Sequence, residues 1–210
     1  MPIRVLLADD HLVVRQGLKA LLESQGLEVV AEADEGHEAV RLASTEKPDI
    51  AVLDVSMPVL NGLDAAAEIR KVSPKTRAIL LTVHDEDQYV TAALQAGIRG
   101  YVLKTQGTMD LVEAIRQVCN GQVYLSPGVS RAVIDAFLSK TTIDLEPLSA
   151  RERHVIQLIG EGKSTKTIAE VLGISVKTVE SHRARLMRKL DIHDVASLVR
   201  YAIRRGLVEP

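Results

Sequence analysis

Tryptophan is absent from the 210-residue chain, and aromatic residues as a whole make up only 2% of it. One phenylalanine and four tyrosines are too few to fill a core, so we expect cores built from leucine, isoleucine, valine and alanine. The single cysteine, Cys119, excludes an intramolecular disulfide framework and is typical of a protein in a reducing compartment.

Long apolar runs are also absent. No stretch approaches the roughly 20 apolar residues that span a bilayer, and Asp9 and Asp10 interrupt the N-terminal segment where a signal peptide would stay apolar. Together with the cysteine content, this predicts a cytoplasmic protein without a membrane contact. The hydrophobic fraction of 46% also excludes a disordered or collagen-like chain.

Charge is distributed unevenly along the chain. Residues 1–148 hold 14 basic and 21 acidic side chains, a net charge of −7, whereas residues 149–210 hold 12 basic and 7 acidic ones, a net charge of +5. This difference predicts two domains with different partners. A compact basic module suggests nucleic acid as a partner, although a solvated charged surface has the same composition.

Short apolar runs alternate with segments of helical periodicity through the first 120 residues. The runs are continuous, which is typical of strands covered by helices on both faces. The alternation predicts an α/β domain at residues 1–121, with a doubly wound, five-stranded parallel sheet. The predicted strands are 3–8, 28–33, 50–55, 78–83 and 100–103, and the predicted helices are 12–24, 36–44, 61–72, 86–96 and 108–119.

The pattern changes in the last third of the chain. Residues 122–147 contain prolines and one short amphipathic segment, so we predict a linker with one helix. Residues 148–210 show no strand signal and predict an all-α domain, which opens with a capping box at Ser149 and Glu152. Its further helices are predicted at 165–172, 176–190 and 194–205.

Five polar side chains follow or interrupt the apolar strands, at the edge of a doubly wound sheet where ligands collect. Any one of them alone is better explained as a helix cap or a loop residue. Because polar groups in core strands are costly without partners, the five together predict a functional site. They are Asp9 and Asp10 after the first strand, Asp54 in the third, Thr82 in the fourth and Lys104 after the fifth.

The chemistry of this group favours phosphoryl transfer. Closely spaced carboxylates repel one another, and all-oxygen ligation suits Mg²⁺ better than a transition metal. With Mg²⁺ and an ammonium group present, the charge of an incoming phosphoryl group would be neutralised. Asp54 is the carboxylate placed to attack that group.

These motifs resemble the receiver domain of bacterial two-component response regulators, with its flavodoxin-like sheet. The similarity extends over residues 1–121, through LLADDHLVVRQGLKALL, AVLDVSMPVLNGLD, LLTVHD and GYVLK. It implies that Asp54 is the phosphoacceptor. It also implies that Asp9, Asp10, Asp54 and the backbone carbonyl of Ser56 hold Mg²⁺.

The resemblance assigns roles to three further residues. Lys104 would pair with the phosphoryl group, Thr82 would donate a hydrogen bond to it, and Tyr101 would change rotamer when Thr82 moves. The expected phosphoryl donor is a sensor histidine kinase. The expected chemistry is slow self-dephosphorylation rather than enzymatic turnover.

Residues 165–190, TKTIAEVLGISVKTVESHRARLMRKL, have the pattern of a helix, a turn and a second helix. Ile168 and Leu172 form an apolar face, Gly173 allows the left-handed turn, and Ser175 caps the second helix. The outward stripe of that helix mixes short and basic side chains. Such a helix can lie in a DNA major groove, although an ordinary amphipathic helix has the same spacing.

The segment 148–190 is similar to the LuxR-type helix-turn-helix domain, and a receiver followed by this domain defines the NarL/FixJ family. The resemblance implies a transcription regulator that binds double-stranded DNA. The residues placed to approach base edges are Glu180, Ser181 and Ala184, and the candidates for phosphate contacts are Lys163, Thr165, Lys177, Thr178, His182, Arg185 and Arg188.

Family analogy also implies a switch. The receiver would cease to obstruct residues 177–188 on phosphorylation, and the last helix would pair two basic modules in a homodimer formed on phosphorylation or on DNA. RNA polymerase is a further candidate partner. The predicted dimer contacts are Val195, Leu198, Val199, Tyr201 and Ala202.

Two other functions stay open. One is a phosphorylation-independent DNA-binding regulator whose receiver serves only for dimerisation. The other is a Mg²⁺-dependent aspartyl-phosphate phosphotransferase of the haloacid dehalogenase type. That second class needs an acid two residues after the nucleophile, and Ser56 stands at this position.

Overall fold

The computed structural model describes residues 1–83, 90, 93–94, 96–129 and 148–208. Six strands form one sheet in which all neighbouring pairs are parallel. The strands are β1 (Arg4–Ala8), β2 (Glu28–Ala33), β3 (Ile50–Asp54), β4 (Arg77–Thr82), β5 (Gly100–Leu103) and β6 (Tyr124–Leu125). Their order in the sheet is β2-β1-β3-β4-β5-β6.

Eight labelled helices lie within the described residues. Four belong to the sheet domain: α1 (Leu12–Ser24), α2 (Gly36–Glu46), α3 (Gly62–Val72) and α4 (Thr108–Cys119). The other four follow the linker: α5 (Ala150–Gly160), α6 (Thr165–Leu172), α7 (Val176–Lys189) and α8 (Val195–Arg204). None of the described helices is long and apolar enough to cross a membrane.

The sheet is covered on both faces, as the continuous apolar runs predict. Alternate side chains of a strand point to opposite faces, so each central strand contributes to two cores. In β1, for example, Leu6 joins the cluster under α2 and α3, whereas Leu7 joins the cluster under α1 and α4. The predicted doubly wound α/β class is therefore confirmed.

The sheet has six strands instead of the predicted five. The additional strand, β6, lies in the segment predicted as linker and pairs with β5 through Gly100 and Tyr124. Most of the predicted helix 86–96 lies outside the described residues. Within that range, the described residues Val90, Ala93 and Leu94 are helical. Most of the predicted linker helix also lies outside them, although residues 127–129 are helical.

The C-terminal helices pack around one apolar core, and their starts follow the predicted caps. The side chain of Ser149 accepts a hydrogen bond from the backbone of Glu152 in a complete capping box, and the side chain of Ser175 accepts from the Thr178 amide at the start of α7. Gly173 ends α6 in the left-handed conformation at φ 62°. Val179 is buried in the core of this bundle.

Helix α8 corrects part of the dimer prediction. Leu198 and Ala202 have no exposed surface, because both pack inside the helical core. They are not available to a second copy of the chain in this arrangement, so their assignment as dimer contacts is wrong. Val195 is 42% exposed, and Val199 and Tyr201 are half-buried, so these three stay predicted contacts.

Candidate functional site

The predicted carboxylates meet at the carboxyl edge of the sheet. Asp9 follows β1, Asp54 ends β3, and these two strands are neighbours, with Ala8 opposite Leu53. Ligand atoms of Asp9, Asp10, Asp54 and His11 all lie within 4.8 Å of one another. Asp9 and Asp54 are buried, whereas Asp10 and His11 are exposed, so the group opens to solvent on one side.

Lys104 connects the two buried carboxylates. Its Nζ atom lies 2.9 Å from Oδ2 of Asp9 and 3.0 Å from Oδ1 of Asp54. Burial acts to lower the pKa of this ammonium group, but the Asp54 and Asp9 carboxylates outweigh that effect and raise its pKa. Lys104 therefore stays charged at neutral pH.

The carboxyl group of Asp54 is buried, and only one of its two oxygens is paired within the described residues. Burial raises the pKa of its carboxyl group, and the nearby charges of Asp9 and Asp10 act in the same direction, while Lys104 acts against them. Its Oδ2 atom is buried and has no hydrogen-bond partner among the described residues. Burying a carboxylate oxygen without a partner is costly, so this atom calls for a cation or for an electrophile.

This donor set fits Mg²⁺. Three carboxylates supply oxygen ligands, which a hard divalent ion prefers, and the exposed side at Asp10 leaves space for the waters that Mg²⁺ keeps. The orphaned Oδ2 of Asp54 and the mutual repulsion of the carboxylates give the physical reason for a cation there.

The other predicted receiver residues surround this group. Thr82 ends β4 with 1% of its surface exposed, and Tyr101 on β5 is equally buried. The backbone of Lys104 donates a hydrogen bond to the Thr82 carbonyl at 2.6 Å, which places both residues at the same edge. Ser56, two residues after Asp54, is half-buried.

His11 belongs to the site, although the sequence analysis assigned it no role. Its Nδ1 atom lies 2.8 Å from Oδ1 of Asp10, and its backbone amide donates to Oδ1 of Asp9 at 2.9 Å. His11 also stands immediately before α1 as its N-terminal cap residue. Its position directly after the acid pair was the signal available in the sequence.

Gly62 brings the start of α3 against the end of β3. A Cβ atom at Gly62 would lie 2.1 Å from the backbone oxygen of Asp54, a distance that no side chain tolerates. The Gly62 amide also donates to the Val55 carbonyl at 3.1 Å. The loop after Asp54 can therefore close only because residue 62 lacks a side chain.

That loop also contacts helix α5. Gln157 is fully buried, and its Oε1 accepts hydrogen bonds from the backbone amide and the side-chain amide of Asn61, both at 3.1 Å. Its Nε2 donates to the Met57 carbonyl at 2.9 Å. One side chain of the C-terminal domain thus satisfies three polar groups in the loop after Asp54.

Two charged residues, one on α5 and one directly after it, extend this contact. Arg153 pairs with Asp64 on α3, with 2.7 Å between Nη2 and Oδ1, and both side chains are largely buried. Glu161, just after α5, accepts from the Val59 amide at 2.8 Å. Val59 has a φ of 64°, which is strained for a β-branched residue, and its side chain packs on the core of the helical domain.

We name residues 55–61 the acceptor loop and its contact with α5 the interdomain contact. This contact was not among the predictions from the sequence. The available signal was Gln157 itself, because a polar residue in the apolar run VIQLI needs a partner once it is buried.

The outward face of α7 is free for a ligand. Every predicted base-contact residue on it is exposed. The receiver does not cover this face within the described residues, which differs from the obstruction that the family analogy implies. Of the predicted phosphate contacts, Lys163, Lys177, Thr178, Arg185 and Arg188 are exposed, and Thr165 and His182 are half-buried.

Comparison with known proteins identifies the class. Residues 5–116 match the family described as response regulator receiver domain, and residues 146–202 match bacterial regulatory proteins of the luxR family. The chain belongs to the response regulators that join these two domains, which is the NarL/FixJ type. It is a DNA-binding regulator of the two-component type.

Individual relatives cover almost the whole chain. It is 38% identical to the transcriptional regulatory protein MctR of Rhizobium johnstonii, over 98% of this chain and 95% of that protein. It is 36% identical to the oxygen regulatory protein NreC of Staphylococcus epidermidis, over 98% and 99% respectively. RcsB from Salmonella enterica serovar Typhimurium, solved bound to a promoter in the presence of phosphomimetic BeF₃⁻, is similar with a TM-score of 0.70, 27% identity, and coverage of 96% of this chain and 98% of that one.

Proposed function

We propose that this protein is a transcription regulator switched by a phosphoryl group on Asp54, which it receives from a sensor histidine kinase. The observation that carries the proposal is the buried Oδ2 of Asp54, which has no hydrogen-bond partner among the described residues while Lys104 holds Oδ1. The ammonium group of Lys104 holds the carboxylate in one orientation and leaves Oδ2 available as the nucleophile.

The transfer reaction uses this oxygen. Oδ2 of Asp54 attacks the phosphorus of a phosphohistidine, the new O–P bond forms as the P–N bond breaks, and the imidazole leaves with the bonding electrons and takes up a proton. Lys104 stands beside both Asp9 and Asp54 and can pair with the negative charge that arrives. The Thr82 hydroxyl is the proposed hydrogen-bond donor to the phosphoryl group.

The proposed cofactor is Mg²⁺, held by Asp9, Asp10, Asp54 and the backbone carbonyl of Ser56. When bound, it supplies positive charge next to the phosphoryl oxygens and offsets the repulsion among the carboxylates. The residues of this chain orient the nucleophile, keep it largely out of water and provide the ammonium group.

The acceptor loop connects Asp54 to the DNA-binding domain. Asp54 is covalently continuous with the loop that Gln157 holds, so a displacement of the loop acts on α5. Helix α5 in turn holds α7, because Nζ of Lys189 lies 2.6 Å from Oε2 of the buried Glu152. We propose that phosphorylation changes the interdomain contact and thereby the freedom of the DNA-binding domain to orient.

The proposed DNA interface is the exposed face of α7. Glu180, Ser181 and Ala184 would read base edges, since they lie on the exposed face of a helix that is narrow enough for the major groove. The basic residues along the same face would contact phosphates. Val195, Val199 and Tyr201 are the remaining candidates for pairing two copies on DNA.

One observation favours a second function. The face of α7 is exposed although the domains are in contact, which also suits a regulator that binds DNA without phosphorylation. The two functions differ in one property, which is the response of DNA affinity to a phosphoryl group on Asp54.

Substitution of Asp54 tests the phosphoacceptor. We expect that Asp54→Asn prevents incorporation of phosphoryl groups from acetyl phosphate with Mg²⁺, because an amide is a poor nucleophile. Asp34→Asn, at an exposed position directly after β2, is a matched control, and it should incorporate phosphate normally. Undiminished incorporation in Asp54→Asn would place the acceptor elsewhere.

A further inference from the structure

Two histidines, one from each domain, meet beside the interdomain contact. His154 lies on α5 and is only 7% exposed, and its ring centroid is 5.8 Å from that of His37 at the start of α2. The Nε2 atom of His154 is buried and has no hydrogen-bond partner among the described residues. A proton on this atom would bring a positive charge into a site without an acceptor.

The charged groups around His154 come from every element packed against it. On α5, Arg151 is a cation that disfavours a charged His154 ring, and Arg153 is already paired with Asp64 of α3. In the acceptor loop, the Val59 backbone favours the charged form of the ring and acts to raise its pKa, and the Val59 amide donates to Glu161 at 2.8 Å.

Asp64 is the carboxylate that favours a charged ring, but its oxygens are already engaged. Oδ1 faces Arg153 at 2.7 Å, and Oδ2 accepts from the side chain of Asn61 at 3.1 Å. Burial, followed by the proximity of His37, lowers the pKa of His154, against the opposite effects of Asp64 and Val59.

We propose that the interdomain contact is acid-sensitive, and that protonation of His154 beside His37 separates α5 from the acceptor loop. The docked arrangement buries Nε2 of His154 without a partner among the described residues, and protonation leaves a buried cation next to the ring of His37. Proton concentration is then a second input to the same contact that phosphorylation is proposed to change.

The sign of the effect follows from linkage. In the separated state the ring regains water, and its pKa returns to the ordinary value of about 6.5. The docked state binds fewer protons, so docking is complete above this pH and is lost as pH falls toward the lower pKa of the docked state. For a single histidine, the docking constant falls by at most about tenfold per pH unit within this window.

Energy transfer between two dyes can report docking in the full chain. Cysteines at the exposed positions Lys71 and Lys166, in a Cys119→Ser background, place one dye on each domain. We expect the transfer efficiency to change between pH 7.5 and 5.5 as the domains separate. Carboxyl groups ordinarily titrate near pH 4. Burial raises the pKa of Asp54, so the assignment of the change to His154 depends on the histidine variants.

Three histidine variants decide the origin of the change. His154→Phe keeps a ring but cannot be protonated, so its transfer efficiency should stay constant over the range. His193→Asn, at an exposed position after α7, should respond as the unsubstituted protein does. His37→Asn, also at an exposed position, should reduce the change in transfer efficiency between pH 7.5 and 5.5, because it removes the imidazole next to His154.

Either of two results would overturn the proposal: a constant transfer efficiency in the unsubstituted protein, or a full response in His154→Phe. If circular dichroism shows that His154→Phe does not fold, His37→Asn decides, and an unaltered response in that variant would contradict the proposal.

Discussion

The two oxygens of Asp54 have different surroundings, and this difference defines the site at the scale of single residues. Oδ1 faces Lys104 at 3.0 Å, whereas Oδ2 is buried without a hydrogen-bond partner among the described residues. The ammonium group fixes the orientation of the carboxylate and leaves one oxygen available. A residue that served only stability would have both oxygens satisfied.

Gly62 lies against the backbone of Asp54, and its replacement tests this close approach. Gly62→Ala would place a Cβ atom 2.1 Å from the Asp54 carbonyl oxygen, so the start of α3 or the end of β3 must move. We expect a loss of about 1–3 kcal/mol in the free energy of unfolding, typical of overpacking, together with slower phosphoryl uptake. Urea denaturation and acetyl phosphate labelling measure the two effects.

Gly17 provides the matched control in the same domain. It lies inside α1, and a Cβ atom there would meet nothing within 4 Å. Gly17→Ala should stabilise the protein by about 0.5–1 kcal/mol, since alanine loses less conformational entropy in a helix. If Gly62→Ala, like Gly17→Ala, did not lower the free energy of unfolding, the close approach of α3 to Asp54 would be wrong.

The site residues that the sequence reveals are those that break a local pattern. Asp54 and Thr82 are polar residues within apolar strands, and their places in the structure are as predicted. His11 breaks no pattern, since an exposed histidine before a helix is ordinary. Its proximity to Asp10 depends on how the loop after β1 turns, which local periodicity does not encode.

Among the elements, α7 is the helix proposed to bind DNA, and its exposed residues fall into predicted phosphate contacts and predicted base contacts. Arg188→Ala should weaken binding to all sequences and lower the slope of log affinity against log salt by about 1, because one phosphate contact is lost. Glu180→Ala should instead change the preferred base at one position, since a carboxylate can accept from cytosine N4. Titrations at several salt concentrations, with a set of single-base variants, distinguish the two effects.

Glu170→Ala is the control for this pair, because Glu170 is an exposed acid on α6, outside the predicted contact face. It should leave base preference unchanged. A binding constant that does not depend on salt in the unsubstituted protein would contradict the assignment of α7 as a phosphate-contacting helix.

Strands and helices with strong periodicity could be predicted to within two residues, because each buries its own apolar run. The exceptions are informative. β6 has only two residues, too few to show a pattern, and it forms because β5 offers an open edge. In α8, Leu198 and Ala202 look like an interaction surface in isolation, but α5 covers them.

At the scale of the whole molecule, the interdomain contact is the feature that sequence reasoning could not reach. Gln157 and Asn61 are separated by 96 residues, and each lies in an element whose local pattern is complete without the other. Only the packing of two separately folded units brings them together. The contact combines a strained residue, Val59, with a buried polar one, Gln157, and we propose that phosphorylation changes it.

The most direct test of the account is the DNA affinity of the full chain with and without phosphorylation of Asp54. A DNA site selected from a random pool would be titrated with untreated protein and with protein treated with acetyl phosphate and Mg²⁺. We predict that treatment tightens binding by about tenfold or more, within the usual range of allosteric coupling, and that Asp54→Asn shows no change. Equal affinity of the treated and untreated protein, at full phosphoryl occupancy, would contradict the switch and favour the phosphorylation-independent regulator.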